Sequence, residues 1–335
     1  MLNVALVGAG SIGQIHAGNI SRNDRCRLAA ICDADIDRAE GLASKHGSRA
    51  TTLNECLGPG IDAVIIASST SSHGAVAETC LAEGKPFLCE KPLAGDLTEG
   101  IRLATEAKTS GLTCGLALNR RFAAEFRDLR AAIRGDAIGS VETILIISRS
   151  AAPPDPSFIR TSGGLFGEKG SHFFDLACWL TDDTPEELLA CGSVLIDPGY
   201  AAVNEVDTAK VTLKMCSGAQ VMCDFSWRAA YGQDERIEVH GSKGLLQNLQ
   251  QPVQLYRTLS GTGLHHGGPT PDWRDRFAET YKAELDQFLT ALETGDLGDV
   301  AQLQDGLRAQ CLANAAYQSV RENRVVLISA DDWHI

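Results

Sequence analysis

A chain of 335 residues with 44% apolar and 22% charged residues has ordinary globular composition and is too long for one small core, so it reads as two domains. Its net charge of −13 repels nucleic-acid phosphates and anionic lipid, which removes both as main partners, yet one locally basic pocket would still admit an anionic small substrate. Met1 runs straight into an apolar segment with no basic leader, and no run approaches the roughly 18 apolar residues that span a bilayer, so a cytoplasmic protein is expected.

In chain order, Val4–Val7 reads as a short strand and Ile12–Ser21 as a helix after a glycine turn. Leu28–Cys32 is a second strand, followed by an Ala-rich helix Ile36–His46. Ala63–Ala67 is wholly apolar, Ala75–Glu83 is helical, Phe87–Cys89 is a strand, Leu97–Ser110 a helix and Thr113–Leu118 a strand. Apolar strands separated by helices predict a doubly wound parallel sheet of Rossmann type over residues 1–119. Beyond it come an amphipathic helix Ala123–Arg134, an alternating strand Val141–Arg149, a Pro-rich loop over 151–156 and a helix from about Leu165 to Leu180. Leu189–Leu195, Thr208–Met215, Gln220–Trp227 and Arg236–Gly241 follow as strands with no long helix between them, the pattern of a largely antiparallel open sheet. An irregular stretch, Gln251–Trp273, precedes two helices, Phe277–Glu293 and Leu303–Glu322. The fold class is therefore α/β, with an α+β domain over 120–335. The eleven cysteines show no C-x-x-C pair and no Cys/His cluster at zinc spacing, so reduced thiols and no metal are expected.

Gly8-Ala9-Gly10-Ser11-Ile12-Gly13 is a complete G-x-G-x-x-G at the end of the first strand and the start of a helix. Gly8 permits the tight turn, Gly10 lets backbone approach a pyrophosphate, and Gly13 lets the helix pack on the strand; Ser11 and Ile12 lie at the helix N-terminus, which offers unpaired N–H groups. Asp33 ends the second strand 20 residues after Gly13, where a carboxylate accepts from both ribose hydroxyls and repels a 2′-phosphate. NAD is the expected cofactor. Ser69, Thr70 and His73 follow the third apolar strand at the end where nucleotides bind, although each residue type also serves as a turn or cap.

Three features carry hydride-transfer chemistry. In Glu90-Lys91-Pro92 a lysine at a strand's carboxyl end can stabilise a developing alkoxide, with Glu90 beside it grouped with the cofactor site; such a triplet also occurs as a plain surface turn. If residues 165–180 are helical, Glu168, His172 and Asp175 fall at i, i+4 and i+7 on one face. His172 can then take a hydroxyl proton while Glu168 or Asp175 orients it or receives that proton, the bland reading being a helix cap and a structural histidine. Asn119 and Arg120, with Arg121 and Phe122, sit at the domain junction, where they can hold substrate hydroxyls or tie the domains together.

In this order the pieces resemble the Gfo/Idh/MocA oxidoreductases, and within them the inositol 2-dehydrogenases: G-A-G-S-I-G, S-S-T-S-S-H (68–73), C-E-K-P-L (89–93), N-R-R-F (119–122), S-R-S-A-A-P-P (148–154), S-G-G-L-F (162–166), G-S-H-F-F-D (170–175) and G-S-K-G (241–244). The resemblance implies that Lys91 binds the reacting oxygen, that His172 is the acid/base, and that Tyr231 and Tyr281 belong to the substrate wall. It implies a small polyol or sugar substrate, myo-inositol first and scyllo-inositol or a hexose next, and a homotetramer or dimer built through the open sheet. Two positions depart from it: Glu168 stands for the usual aspartate four residues before the histidine, and Ser150 for an aspartate of the inositol enzymes. A non-catalytic NAD-binding sensor is the alternative of a different class.

Overall fold

Apolar strands that cannot face water on either side need helices on both faces, and the first part of the chain supplies them in alternation. The computed structural model describes residues 1–248, 257–260, 263–266 and 272–333. Strands β1 (Leu2–Val7), β2 (Cys26–Cys32), β3 (Arg49–Ala50), β4 (Ala63–Ile66), β5 (Phe87–Glu90) and β6 (Cys114–Ala117) alternate with helices α1 (Ser11–Ser21), α2 (Ile36–His46), α3 (Leu53–Cys56), α4 (Thr70–Ala82) and α5 (Leu97–Ser110). These six strands pair in parallel in the order β6-β5-β4-β1-β2-β3. All four residues of β4, Ala-Val-Ile-Ile, are fully buried, and each larger side chain contributes about 1.5–3 kcal/mol of transfer free energy.

The second part runs α6 (Ala124–Arg134), β7 (Val141–Arg149), α7 (Pro156–Ser162), α8 (Ser171–Thr181), β8 (Pro185–Ser193), α9 (Gly199–Ala202), β9 (Thr208–Met215), β10 (Gln220–Ser226), β11 (Asp234–Gly241) and β12 (Gly244–Gln247). A hairpin of β13 (Arg257–Ser260) and β14 (Gly263–His266) comes next. It is followed by α10 (Trp273–Thr294), β15 (Ala301–Gln302), α11 (Leu303–Glu322) and β16 (Val326–Leu327). The second sheet has the order β12-β11-β7-β10-β9-β8-β16 and is antiparallel except for the parallel β7–β10 pair. Its inner face packs against Phe126 and Leu129 of α6, Phe173, Phe174 and Leu176 of α8, and Leu312 and Ala316 of α11. Among the described residues, no helix is long and apolar enough to cross a membrane.

By internal contacts the chain divides into Met1–Phe122 with Ala278–Gln310 and the residues from Trp333, and Ala123–Phe277 with Cys311–Asp332. A single cut after residue 119 does not describe this. Residues 278–310 return to the first unit because Leu285, Phe288 and Leu289 of α10, with Val300, complete its core, and β15 adds to β6 as an antiparallel edge strand. Two further expectations differ from the structure. The Pro-rich loop is followed by α7, started by Pro156 in its first turn with Asp155 as N-cap. The expected continuous helix 165–180 is α-helical only from Ser171, and Leu165–Gly170 winds as a π-helix. Most of the irregular stretch Gln251–Trp273 lies outside the described residues.

Candidate active site

In the first unit the glycine loop is shaped by contacts that admit no side chain. Gly8 has φ +108°, and a Cβ there would lie 2.3 Å from the Ala67 carbonyl oxygen. A Cβ on Gly13 would lie 2.0 Å from the Gly8 oxygen, so α1 sits directly on the turn. Gly10 differs: a Cβ there would meet nothing within 4 Å, because it borders an open cleft of about 480 Å³. Ala9, Gly10, Ser11 and Gln14 line one side of that cleft, and Arg38, Gly41, Leu42 and Lys45 the other. As N-cap of α1, Gly10 makes no side-chain cap, and N–H groups at a helix N-terminus suit an anion. Ile12 lies in the same first turn and packs against the core.

Asp33 is held at this cleft by the backbone. Its Oδ2 accepts from Ala9 N at 2.6 Å and its Oδ1 from Asp35 N at 2.8 Å, and a carboxylate retains lone pairs for two ribose hydroxyls. Arg38 and Lys45 were not singled out from sequence. The signal was available: residues 38, 41, 42 and 45 repeat at helical spacing, so they share one face of α2. The Arg38 guanidinium pairs with Asp35 at 3.0 Å.

At the end of β5, Glu90 reaches back to α1, its Oε1 lying 2.8 Å from Nε2 of the buried His16. Tyr281, on α10, belongs to this first unit, and its ring stands edge-on to His16 at 5.6 Å. Lys91 is half-buried and is joined to Pro92 by a cis peptide bond. His73 fixes this turn: Nδ1 lies 2.7 Å from the Pro92 carbonyl oxygen and Nε2 lies 3.1 Å from that of Ser68. The histidine thus ties the lysine's turn to the end of β4. Ser69, the exposed N-cap of α4, has its hydroxyl 3.2 Å from that of Ser71 and 3.1 Å from that of Ser72, and Thr70 opens the helix. Asn119 is buried, donating to Thr280 Oγ1 at 3.1 Å and accepting from Arg120 at 3.0 Å. Glu284 of α10 is fully buried near Glu90, Arg120 and Arg121, and neither carboxyl oxygen has a hydrogen-bond partner. Burial, then the Glu90 charge, push its pKa well above the ordinary 4.5, against the pull of the two arginines.

In the second unit, a Gly163-Gly164 pair at φ +94° and +67° turns the chain into the π segment. A Cβ on Gly164 would lie 2.0 Å from Tyr317 Oη and 2.1 Å from Glu205 Oε1. Tyr317 Oη donates to Glu205 at 2.9 Å and accepts from Phe166 N at 3.3 Å, and burial raises the Glu205 pKa against that hydrogen bond. Glu168 is half-buried inside the π segment, whereas His172 and Asp175 are buried in α8. The last two, three apart, share a face of α8 as expected. Glu168 precedes them in a wider, π-helical turn, a feature common at functional sites.

Lys169, between Glu168 and His172, was also missed from sequence. It is 6% exposed, and its Nζ donates to Ser150 Oγ at 2.8 Å and Ser148 Oγ at 3.2 Å, 5.1 Å from the centre of the Trp227 ring. Tyr231 is 53% exposed, and its hydroxyl donates to Asp234 at 2.6 Å and accepts from Arg149 at 3.2 Å. Arg149 in turn pairs with Asp224, which also takes Lys210, and Arg236 pairs with Asp234 at 2.8 Å. Among the described residues no group of three or more His, Cys, Asp or Glu side chains is placed to hold a metal ion.

A family model described as "Oxidoreductase family, NAD-binding Rossmann fold" matches residues 2–118, and one described as "GFO/IDH/MocA C-terminal domain" matches residues 126–247. An inositol 2-dehydrogenase of Rhizobium meliloti (strain 1021) is 35% identical over 330 residues, 97% of this chain and 98% of that protein. A scyllo-inositol 2-dehydrogenase (NAD(+)) of Bacillus subtilis (strain 168) is 30% identical over 315 residues, 91% of this chain and 92% of the relative. The solved structure of a myo-inositol dehydrogenase from Corynebacterium glutamicum superposes with a TM-score of 0.92 at 30% identity, covering 98% of this chain and 99% of that one.

Proposed function

The chain belongs to the Gfo/Idh/MocA family of NAD-binding oxidoreductases, and from that premise we propose that it oxidises a ring hydroxyl of a cyclic polyol, with myo-inositol as the first substrate to try. The cofactor, when bound along the glycine loop, accepts the hydride. Lys91 donates to the reacting oxygen and stabilises the alkoxide as the carbon–hydrogen bond breaks. His172 takes the hydroxyl proton, and Glu168 or Asp175 orients the imidazole. Asp33 selects NAD by accepting from the ribose and repelling a 2′-phosphate.

The observation that carries this reading is the anchoring of the Lys91 turn. A lysine in a solvated turn has no need of a buried histidine between Pro92 and Ser68, whereas one that meets a reacting oxygen must be held in place. The inositol dehydrogenases among its relatives support the substrate class, and the 30% identical scyllo-inositol enzyme together with Ser150 makes scyllo-inositol the second substrate. The test is NADH formation with myo-inositol, scyllo-inositol and glucose, each with NAD and NADP in parallel. Lys91→Ala and His172→Ala are each expected to lower kcat by about 10²–10⁴-fold while NAD still binds. Near-normal turnover in either variant, or a higher kcat/KM with NADP, overturns the corresponding assignment.

A further inference from the structure

Cys32 ends β2, and its backbone is part of the cofactor loop. Its carbonyl oxygen accepts from Gly8 N at 2.7 Å, and the next residue, Asp33, accepts from Ala9 N and Asp35 N. Just before it, the Ile31 carbonyl accepts from Thr51 N at 2.9 Å, which brings the start of α3 alongside the end of β2. Thr52 opens α3 with a capping box, and four residues on, Cys56 presents its thiol to that of Cys32. The two sulfurs differ in access: Cys56 is completely buried, whereas Cys32 is partly exposed. Their hydrogen bond lowers the Cys32 thiol from 9.0 to about 7, against burial and the Asp33 charge, and the same bond, with burial, pushes Cys56 up. Elsewhere in this unit burial pushes the thiols of Cys80, Cys89 and Cys114 up as well.

Oxidants attack the thiolate, so a reachable cysteine beside a second, sheltered thiol is the arrangement of a sensing and a resolving pair. We propose that Cys32 and Cys56 form a modification site for hydroperoxides, in which a reversible disulfide between β2 and α3 loosens the hold on NAD. The Cys32 sulfur bonds to one peroxide oxygen as the O–O bond breaks, giving a sulfenic acid, and the departing oxygen takes a proton from solvent. The Cys56 sulfur then attacks the Cys32 sulfur, the S–O bond breaks, and hydroxide leaves with the Cys56 proton as water. With hydrogen peroxide, two thiols have given up two electrons and two protons, and the peroxide has become two waters. The new bond draws the end of β2 toward α3, away from Gly8 N, and shifts Asp33 relative to Ala9. The proposal needs the NAD site alone and is independent of which alcohol is oxidised.

The experiment treats the reduced full chain with a small excess of hydrogen peroxide, removes it, and reads two quantities. Peptide mapping by mass spectrometry is expected to find Cys32 and Cys56 linked, with the loss of two hydrogens. The Kd for NADH is expected to rise about tenfold, the equivalent of roughly one hydrogen bond, and to return to its starting value with dithiothreitol. Cys32→Ser and Cys56→Ala are each compared with their own reduced state, whose NADH binding checks the fold. Cys32→Ser is expected to keep its Kd through the peroxide treatment. In Cys56→Ala the Cys32 sulfur has no resolving partner, so it is expected to pass on to the sulfinic acid, which dithiothreitol does not reverse. The wild-type map needs no variant to fold. A disulfide elsewhere or none, a Cys32–Cys56 bond that leaves the Kd unchanged, or an equal loss of affinity in Cys32→Ser overturns the proposal.

Discussion

Glu284 joins two properties rarely found together, full burial and a carboxyl group with no hydrogen-bond partner for either oxygen. Its raised pKa means that the native state keeps a proton that the unfolded chain gives up as pH climbs past about 4.5. The unfolded state then binds fewer protons than the native one, so stability falls with rising pH from 4.5 up to the native value, by at most about 1.4 kcal/mol per unit. The contribution is fully present only below 4.5. Glu284→Gln removes that slope, and its melting temperature relative to the wild type is expected to rise between pH 5 and pH 8 (about the window that linkage gives); a constant difference across that range would show that Glu284 is ionised in the native state. This residue was illegible in the sequence, where it is one more acid in an amphipathic helix. The glycine loop and Asp33 were legible because each is a local device, a turn and a strand end within one βαβ unit, where Asp33 meets Ala9 N. Lys169 was passed over for the opposite reason: its partners Ser148 and Ser150 lie on and just after β7, and helical spacing says nothing about those.

Among the elements, the π segment Leu165–Gly170 departs most from periodic expectation. Spacing alone predicted one α-helix, and it predicted α8 correctly from Ser171 onward. What it could not supply was the Tyr317–Glu205 pair, which meets the chain from α11 and from the turn before β9 and sets where the segment begins. Two positive-φ glycines make that approach possible. Gly164→Ala would drive a methyl group into both partners and into an unfavourable φ. A destabilisation of about 2 kcal/mol or more is expected, with kcat reduced because Glu168 and His172 are displaced. Thermal unfolding and kcat measured on the same preparation check this, and a variant as stable and active as wild type would show that the pair tolerates the change. The same logic explains the boundaries of the other elements: α2 and α5 were read to the residue because Asp35 and Asp96 cap one end and Gly47 and Gly111 the other, all local signals. Strand β8 begins at Pro185 and not at the expected Leu189, since its pairing with β9 is what defines it.

At the scale of the whole molecule, the outer face of the second sheet carries a row that runs straight across four strands. Leu145 of β7 opposes Met222 of β10, Met222 opposes Thr212 of β9, and Thr212 opposes Leu189 of β8. Met222 is 53% and Leu189 45% exposed, and Leu245 and Leu327 are exposed at the two edge strands. A largely apolar row on an open sheet is a surface suited to a second copy of the chain, and an oligomer, if formed, is expected to use it. Met222→Lys is expected to shift the mass measured by light scattering to a smaller species; an unchanged mass would place the contact elsewhere, and a monomeric wild type would remove the expectation altogether.

The division of the chain has a consequence for biosynthesis. The first unit lacks Leu285, Phe288 and Leu289 until α10 has been made, and the second lacks Leu312 and Ala316 until α11 has been made. On the ribosome, the first core cannot close until α10 has been made and the second until α11 has been made, so the nascent chain exposes two unfinished apolar surfaces through the synthesis of the whole middle of the sequence. No stop or cleavage between residues 123 and 310 leaves a self-sufficient fragment, and quality control therefore meets this protein as all or nothing.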